Sequence, residues 1–173
     1  SAYAGERDFF DAQITELLTR LAGEVSFALD LFERENQRRH AEDRVRHLAL
    51  TDTGVAFAMQ WEGDPERIVP LLGQWSPGSA PVLHPAPEGE AERMKGYAGS
   101  IARAADGRLA ISSPKGGVVQ VFDAKGGFLA THARADVCGL AALGGGFVTS
   151  DGNGWICALD QELRPLNQVQ AAW

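Results

Sequence analysis

Cysteine is scarce in this chain. Only two of its 173 residues are cysteine, Cys138 and Cys157, and none of its four histidines stands beside them at the spacing of zinc ligands. Two cysteines cannot form the framework of a disulfide-stabilised fold. We therefore expect two free thiols, without a disulfide scaffold or a zinc site.

Long apolar runs and excess basic charge are also lacking. No apolar segment approaches the roughly 20 residues that cross a membrane, and residues 1–6 have neither the basic start nor the apolar stretch of a secretory signal. With 16 Lys and Arg against 23 Asp and Glu, the formal charge is -7, which disfavours nucleic acid and anionic membranes as partners. The composition fits one or two soluble domains in the cytoplasm.

Glycine and proline are nearly missing from the first part of the chain. Residues 1–53 hold 2 of the 20 glycines and none of the 8 prolines. Because these two residue types weaken helix interiors and favour turns, the first part can form a continuous helix and the rest many short strands. The sequence predicts a helical segment over 1–53 and a β domain over 54–173, joined at residues 51–54.

An apolar seam runs along the predicted helix, which we place at about residues 8–50, roughly 65 Å at 1.5 Å per residue. Val45 and Leu48 continue the seam after a charged stretch. Such a rod must cover its seam by packing on its own domain or by pairing in a parallel coiled coil. We assign partner binding to the residues of the seam, which recur at helical spacing: Ile14, Leu17, Leu21, Val25, Ala28 and Phe32.

The segment from Ile14 to Asp52 resembles the junction between a GAF sensor domain and a GGDEF diguanylate cyclase. This resemblance implies a signalling helix that pairs two subunits. After Asp52 the chain departs from that family, and it has no GG-[DE]-EF loop. No nucleotide, metal or catalytic residue is therefore carried over, and cyclase activity is not expected.

The second part predicts antiparallel strands joined by tight turns. Asp106-Gly107 is a strong hairpin signal, and four further glycine-rich segments supply the positive φ angles that hairpins need. We predict strands at 55–61, 68–72, 100–104, 108–112, 118–122, 128–132, 139–143, 147–150 and 155–159. The irregular, proline-rich residues 76–92 are the best candidate for a mobile contact loop.

An internal repeat lies within this β region. Leu109 to Ser112 aligns with Phe147 to Ser150 at an offset of 38, and Val121 to Asp123 aligns with Ala158 to Asp160 at 37. The period is typical of β-propeller blades, of which this region can supply at most three, whereas closed propellers have about four to eight. The open edges must then be covered by the helix, a second copy or another chain. A small rearranged sandwich is the alternative.

Six segments in order strengthen the propeller interpretation, among them residues 57–63, 94–102 and 112–117. They resemble the C-terminal part of the bacterial domain-of-unknown-function family fifteen-thirteen. The resemblance implies a propeller-like fold without an assigned reaction, in proteins that are larger, typically exported and sometimes encoded beside iron-uptake systems. Joined to a signalling helix, it implies a truncated, recombined or designed chain.

Candidate chemical sites are weak. Asp151 to Gly154 followed by Glu162 has some oxygen donors of a calcium loop, but Trp155 and Ile156 occupy positions that need an oxygen ligand and a glycine. Lys115-Gly116-Gly117 lacks the frame of a phosphate-binding loop. Hairpin turns explain both segments better.

A catalytic triad and a reactive thiol are equally weak candidates. Ser112 or Ser113 with His132 and Asp136 could form a triad, but no nucleophile-elbow motif surrounds either serine. Cys138 stands at an apolar strand start and is expected in the core. We assign no catalytic, cofactor or metal-binding residue.

The sequence thus predicts an α+β fold, in which a long N-terminal amphipathic helix precedes antiparallel hairpins that form two to three propeller-like blades. The predicted function is a non-catalytic protein-interaction module. Its partner is another protein or a second copy bound through the helix, with no nucleic acid and no membrane. The alternative is a small-molecule or metal-binding fragment of an exported propeller-like protein.

Overall fold

A computed structural model describes residues 45–171, which form twelve antiparallel strands and one short helix. The strands are grouped in three sheets of four, and within each sheet every strand pairs with the strand that follows it in the chain. The described helix is neither long nor apolar enough to span a membrane.

Sheet I is a four-stranded meander. Its turn at residues 51–54 is closed by the Thr51 amide, which donates to the Gly54 carbonyl. Ala56 and Ala58 are fully buried, whereas Val55 and Phe57 on the opposite face are half-buried, so β2 alternates as a strand with one covered face. The strands of sheet I are β1 (Val45–Leu50), β2 (Val55–Met59), β3 (Leu72–Trp75) and β4 (Val82–His84).

A short helix of six residues, α1 (Glu88–Arg93), connects sheet I to sheet II. Glu88 and Glu90 lie in its first turn and Arg93 in its last, which suits the helix dipole. The Gln120 side chain of sheet II donates to the Glu90 carbonyl at 2.6 Å. The segment predicted as an irregular loop, 76–92, therefore contains β4 and most of α1, and α1 is hydrogen-bonded to the central sheet.

Sheet II lies between the other two sheets and is buried on both faces. Every residue of its two middle strands is buried. This explains why they appear in the sequence as nearly continuous apolar runs rather than alternating patterns. The strands of sheet II are β5 (Ser100–Arg103), β6 (Leu109–Ser113), β7 (Val118–Phe122) and β8 (Phe128–Ala133).

Sheet III repeats the meander at the other end. Phe147 and Leu159 are fully buried in the same positions that Leu109 and Phe122 occupy in sheet II, so the structure confirms the internal repeat. The strands of sheet III are β9 (Val137–Leu143), β10 (Gly146–Asp151), β11 (Trp155–Leu159) and β12 (Pro165–Gln170).

Two hydrophobic cores hold the three sheets together, one on each face of sheet II. Leu109, Ile111 and Phe122 pack toward sheet I, and Phe122 meets Phe128 edge to face at 5.7 Å. Ala110 and Val119 point the other way and pack against sheet III. Sheet II is thus the element on which both outer sheets depend.

The predicted α+β fold class is wrong for the described residues, which are almost entirely β. The predicted helix was extended to Leu50, but Val45–Leu50 is strand β1 of sheet I. Leu48 and Leu50 lie on one face of the strand and Ala49 on the other. This short apolar run fits the period of two of a strand as well as the period of a helix. Pairing with β2 makes it a strand. The seam residues Ile14, Leu17, Leu21, Val25, Ala28 and Phe32 lie outside the described residues.

Candidate interaction surface

The outer face of sheet I, turned away from sheet II, is apolar and open to solvent among the described residues. Its strand pairs place six side chains on this face, of which Leu50 is 79% and Leu48 62% exposed. We call this set the sheet I outer face, and its members are Leu48, Leu50, Val55, Phe57, Trp75 and Leu83.

Phe57 and Gly73 are paired at the centre of the sheet I outer face. A Cβ atom at position 73 would collide with the ring of Phe57. Because glycine leaves this space free, the ring lies flat across β3 instead of standing away from the sheet. The centre of the face is therefore aromatic and level.

Most side chains on the outer face of sheet III are also apolar, with smaller ones at its centre, and Ser150 and Asn167 lie on the same face. Val148 lies between Ala141 and Ala158 in the strand register. Ile156 is 43% and Val169 59% exposed. We call this set the sheet III outer face, and its members are Ala141, Leu143, Val148, Ile156, Ala158 and Val169.

Arginine side chains join the sheets at their turns. Arg103 of sheet II pairs with Asp52 of sheet I at 2.7 Å. Arg108 pairs with Asp106 at 2.8 Å and donates to the carbonyl oxygens of Gln161, at 2.5 Å, and Gly145 in sheet III. These polar contacts link neighbouring sheets in addition to the two hydrophobic cores.

A groove of about 580 Å³ lies beside the loop between β2 and β3. The Arg67 guanidinium lies 5.3 Å from the ring centre of Trp61, whose indole nitrogen donates to the Asp64 carbonyl at 2.8 Å. Lys95 and Lys115 also line the groove, as do two glutamates. The lining has three cations against two carboxylates, a small excess of positive charge that favours an anionic ligand. Sequence reasoning missed this groove because its residues come from three separate segments.

The structure does not assemble the candidate triad. Ser112 Oγ donates to the Cys138 carbonyl at 2.7 Å, and Ser113 Oγ donates to the Met94 carbonyl at 2.8 Å. As neighbours in β6, the two serines point to opposite faces of sheet II. Both hydroxyls serve the packing of the sheets rather than a nucleophilic site.

The candidate calcium loop is a hairpin turn between β10 and β11. One carboxylate oxygen of Asp151 accepts the amides of Asn153 at 3.0 Å and Trp155 at 3.1 Å. The other oxygen pairs with Arg134 at 2.8 Å. Burial raises the pKa of Asp151, but these amides and the Arg134 charge outweigh it, so the pKa lies below its ordinary value of 3.8.

The Lys115-Gly116-Gly117 segment is likewise a turn, between β6 and β7. Gly117 has φ +63° and donates to the Ser113 carbonyl at 2.8 Å. Lys115 lies 5.1 Å from the ring centre of Tyr97. The lysine therefore contributes to the groove described above, and the glycines close the hairpin.

The two cysteines are free thiols, and the environment predicted for Cys138 is wrong. Cys157 is fully buried in the core between sheets II and III, whereas Cys138, expected in the core, is exposed. The period of two in β9 explains the difference, because its neighbour Val137 takes the buried position.

The family of the chain is established by a match over residues 16–173 to the family described as "Protein of unknown function (DUF1513)". The chain belongs to this family. The match includes most of the segment that resembled a GAF to GGDEF junction, so that part of the resemblance is not supported. Charged amphipathic segments of this kind occur in many families and specify none. The comparison with curated proteins finds no match.

Several solved structures are similar to this chain over 72 to 75% of its length. The chain is similar to BamB from Moraxella catarrhalis (TM-score 0.53, 15% identity, 72% of this chain and 35% of that one). It is also similar to the WD40 β-propeller domain of Doa1 (0.51, 14%, 73% and 40%) and to streptogramin B lyase (0.55, 14%, 75% and 41%). At such low sequence identity, structural similarity shows only a shared fold.

The three sheets are therefore propeller-like blades, as the sequence predicted. The chain spans less than half of the length of these solved structures. In a propeller each blade packs face to face on its two neighbours. The two outer faces are the positions at which neighbouring blades would lie.

Proposed function

We propose that this chain is a non-catalytic protein-interaction module that binds protein through its apolar outer sheet faces. The sheet I outer face carries the proposal, since it places the exposed side chains of Leu48, Leu50 and Trp75 on one face of the sheet. Contiguous apolar surfaces of this kind are typical of protein contacts. Binding through a paired N-terminal helix forms no part of the proposal.

The absence of catalysis is supported by how the polar side chains are used. Ser112, Ser113 and Asp151 are the best candidates for chemistry in the described residues, and each is committed to hydrogen bonds that hold turns or sheets.

Two free thiols, one of them exposed, support a reducing compartment such as the cytoplasm.

Binding of the apolar dye anilinonaphthalene sulfonate tests the proposed surface. The measurement is made in dilute solution, at a concentration where light scattering gives the mass of a single chain. We expect Leu50→Lys to reduce dye fluorescence, because it places a charge in the sheet I outer face. Leu129→Lys is the matched control, since Leu129 is 49% exposed but lies in β8 of sheet II.

Equal dye binding by the wild-type chain and the Leu50→Lys variant would contradict the proposal, because the face would then not be available to a partner. If the chain shows no single-chain mass at any dilution, a reduced mass for Leu50→Lys and an unchanged mass for Leu129→Lys would support the proposal instead. Circular dichroism checks that each variant is folded.

A second candidate function is the binding of a small anionic molecule in the groove beside Trp61. Arg67, Lys95 and Lys115 favour this candidate. Residues 45–171 contain no group of three or more His, Cys, Asp or Glu side chains placed to hold a metal ion, so the groove supports the small-molecule form of this function and not the metal form.

Thermal unfolding with citrate or pyrophosphate tests the groove. Either anion should raise the unfolding temperature of the wild-type chain, because a ligand of the folded state stabilises it. Arg67→Ala should remove most of the rise, and Lys125→Ala, which changes a lysine outside the groove, should retain it. An equal rise in both variants, or none in the wild type, would rule out a specific site.

A further inference from the structure

His84 is the one residue of strand β4 that is not exposed. β4 has three residues and pairs only with β3, at the edge of sheet I. Val82 is 56% and Leu83 47% exposed, whereas His84 is half-buried opposite the core residue Leu72. The burial that holds this short strand against the rest of the fold is therefore that of one imidazole ring.

The His84 ring lies on the turn between β7 and β8 of sheet II. Gly126 of that turn is buried, and a Cβ atom at position 126 would collide with the ring. Gly126 has φ +87°, a backbone angle that favours glycine. We call this packing of the ring on Gly126 the His84 contact. It joins the edge of sheet I to sheet II.

The His84 contact suits a neutral ring. Its Nε2 atom is buried and has no hydrogen-bond partner among the described residues. In a neutral imidazole this nitrogen can be the one without a proton, whereas in the protonated ring both nitrogens are donors. Protonation would thus place a positive charge and a buried N–H without an acceptor at this contact, and both are costly.

Asp123 and Lys125, in the turn between β7 and β8, are the charged residues beside the ring within residues 45–171. One carboxylate oxygen of Asp123 accepts two amides of its own turn, both at 2.8 Å. Its charge opposes the effect of burial on the pKa of His84 but does not outweigh it, so the pKa lies below its ordinary value. Lys125 lines the slot beside the ring and adds positive charge.

The other elements around the ring contribute uncharged side chains. β3 provides Gln74, α1 provides Ala91, and β7 provides Gln120 to the two cavities that His84 lines. The charged side chains of α1 nearest to them, Glu90 and Arg93, pair with each other at 3.0 Å. No carboxylate outside the β7–β8 turn therefore lines either cavity at the ring among the described residues.

An open slot of about 330 Å³ offers the protonated ring a polar place. Oxygen atoms of hydroxyl groups and of water can accept the hydrogen bonds of an imidazolium ring. A ring that rotates into the slot leaves Gly126 and gives up the burial that holds β4. The slot is lined by His84 together with four hydroxyl residues, Thr51, Thr53, Ser76 and Ser79.

We infer that the His84 contact is a pH-sensitive device, in which the neutral ring holds β4 against sheet II and protonation of the ring releases the strand. The device does not depend on whether the outer faces bind a partner. A released ring titrates near its ordinary value of 6.5, whereas the packed ring resists protonation. The contact is therefore complete above pH 6.5 and weakens as the pH falls toward the lower pKa of the packed ring.

Nuclear magnetic resonance of the full chain tests the device in two ways. Titration of the His84 ring should give a pKa below 6.5. Amide hydrogen exchange should show that the opening constant of the pairing between β3 and β4 rises as the pH falls below that value, by up to about tenfold per pH unit. The amides of β6 and β7 should remain protected, because both strands are buried along their whole length.

His84→Gln removes the titrating group, so the opening of β4 should lose its pH dependence. His47→Gln is the matched control, since His47 is exposed on β1, and it should retain the dependence of the wild type. Protection of the β6 and β7 amides checks that each variant is folded.

Gly126→Ala should displace the ring and bring the pKa of His84 to about its ordinary value of 6.5. Gly107→Ala is the control, since Gly107 has a nearly equal φ of +89° but a Cβ atom there would meet no histidine. The control should leave the pKa of His84 low.

Four results would overturn the inference. A pKa of His84 at or above 6.5 in the wild type would show that the ring is not held neutral. An unchanged pKa in Gly126→Ala would show that packing on the turn does not matter. Equal pH dependence in the wild type and His84→Gln would assign the opening to another group. Loss of protection in β6 and β7 together with β4 would show that acid unfolds the whole sheet stack and does not release one strand.

Discussion

Arg134 and Asp151 form an ion pair of 2.8 Å that joins the connection between β8 and β9 to the turn between β10 and β11. The Asp151 side chain is only 5% exposed, and that of Arg134 14%. The same carboxylate also accepts two amides of its own turn, from Asn153 and Trp155. One side chain therefore both shapes a hairpin and attaches sheet III to the preceding connection.

Removing this carboxylate should destabilise the fold. We expect Asp151→Ala to lower the free energy of unfolding by about 2 to 3 kcal/mol, because two amides and a largely buried guanidinium lose their acceptor. Asp151→Asn retains one oxygen and should lose less. Urea unfolding measures both, and equal losses for the two variants would show that charge, not hydrogen bonding, dominates.

The turn between β6 and β7 needs glycine at position 116. A Cβ atom there would collide with the carbonyl oxygen of Arg93, at the end of α1. Gly116→Ala should therefore cost about 2 kcal/mol or more, since backbone must move to admit one methyl group. The measurement is the midpoint of urea unfolding.

Gly89 offers a matched control for that substitution. It is exposed within α1, and a Cβ atom there would meet nothing within 4 Å. Gly89→Ala should stabilise the chain by roughly 0.5 to 1 kcal/mol, because alanine favours the helix. A loss of stability at position 89 equal to that at position 116 would contradict the steric explanation.

Stability should fall as the pH drops through the range of histidine titration. Burial lowers the pKa of His84 against the opposing charge of Asp123, and burial together with Arg134 lowers the pKa of His132. Below the ordinary value of 6.5, the unfolded chain then binds more protons than the folded chain. The stabilisation present above pH 6.5 is lost progressively toward the lower folded pKa values.

Replacing His84 and His132 together by Gln should flatten this dependence between about pH 7 and pH 5. His47→Gln is a control, since His47 is exposed on β1. Thermal unfolding across that pH range measures the slope for each variant. An unchanged slope in the double variant would show that other groups cause the acid sensitivity.

The two thiols should react very differently in the folded protein. Cys138 is exposed, but burial around the sulfur and the charges of Asp136 and Asp151 raise its pKa above 9.0. Iodoacetamide should therefore label Cys138 slowly near neutral pH and faster above pH 9, and should label Cys157 only after unfolding. Mass spectrometry of peptides identifies the site, and early labelling of Cys157 would contradict its burial.

Many of the strands could be predicted because local chemistry specifies them. The hairpin at Asp106-Gly107 has the expected positive φ at Gly107, of 89°. The repeat that relates Asp123 to Asp160 also holds, since both carboxylates accept amides two and four residues later in equivalent turns. Turn residues act through short-range hydrogen bonds and backbone angles, which adjacent sequence determines.

The edge strands were harder to predict. β4 (Val82–His84) lies in a proline-rich segment, and β12 (Pro165–Gln170) is exposed along its whole length. Neither has the apolar alternation of a half-buried strand. They form because a paired neighbour, β3 or β11, supplies hydrogen bonds at the edge of the sheet, which no local pattern reveals.

What the sequence determined by itself is the repeat, the hairpin turns and the apolar runs of sheet II, because each depends on residues close together in the chain. Only the tertiary structure decided that Leu48 and Leu50 belong to a strand and that Cys138 is exposed. Those properties depend on which side of a strand meets another sheet, and strand pairing between distant segments sets that side.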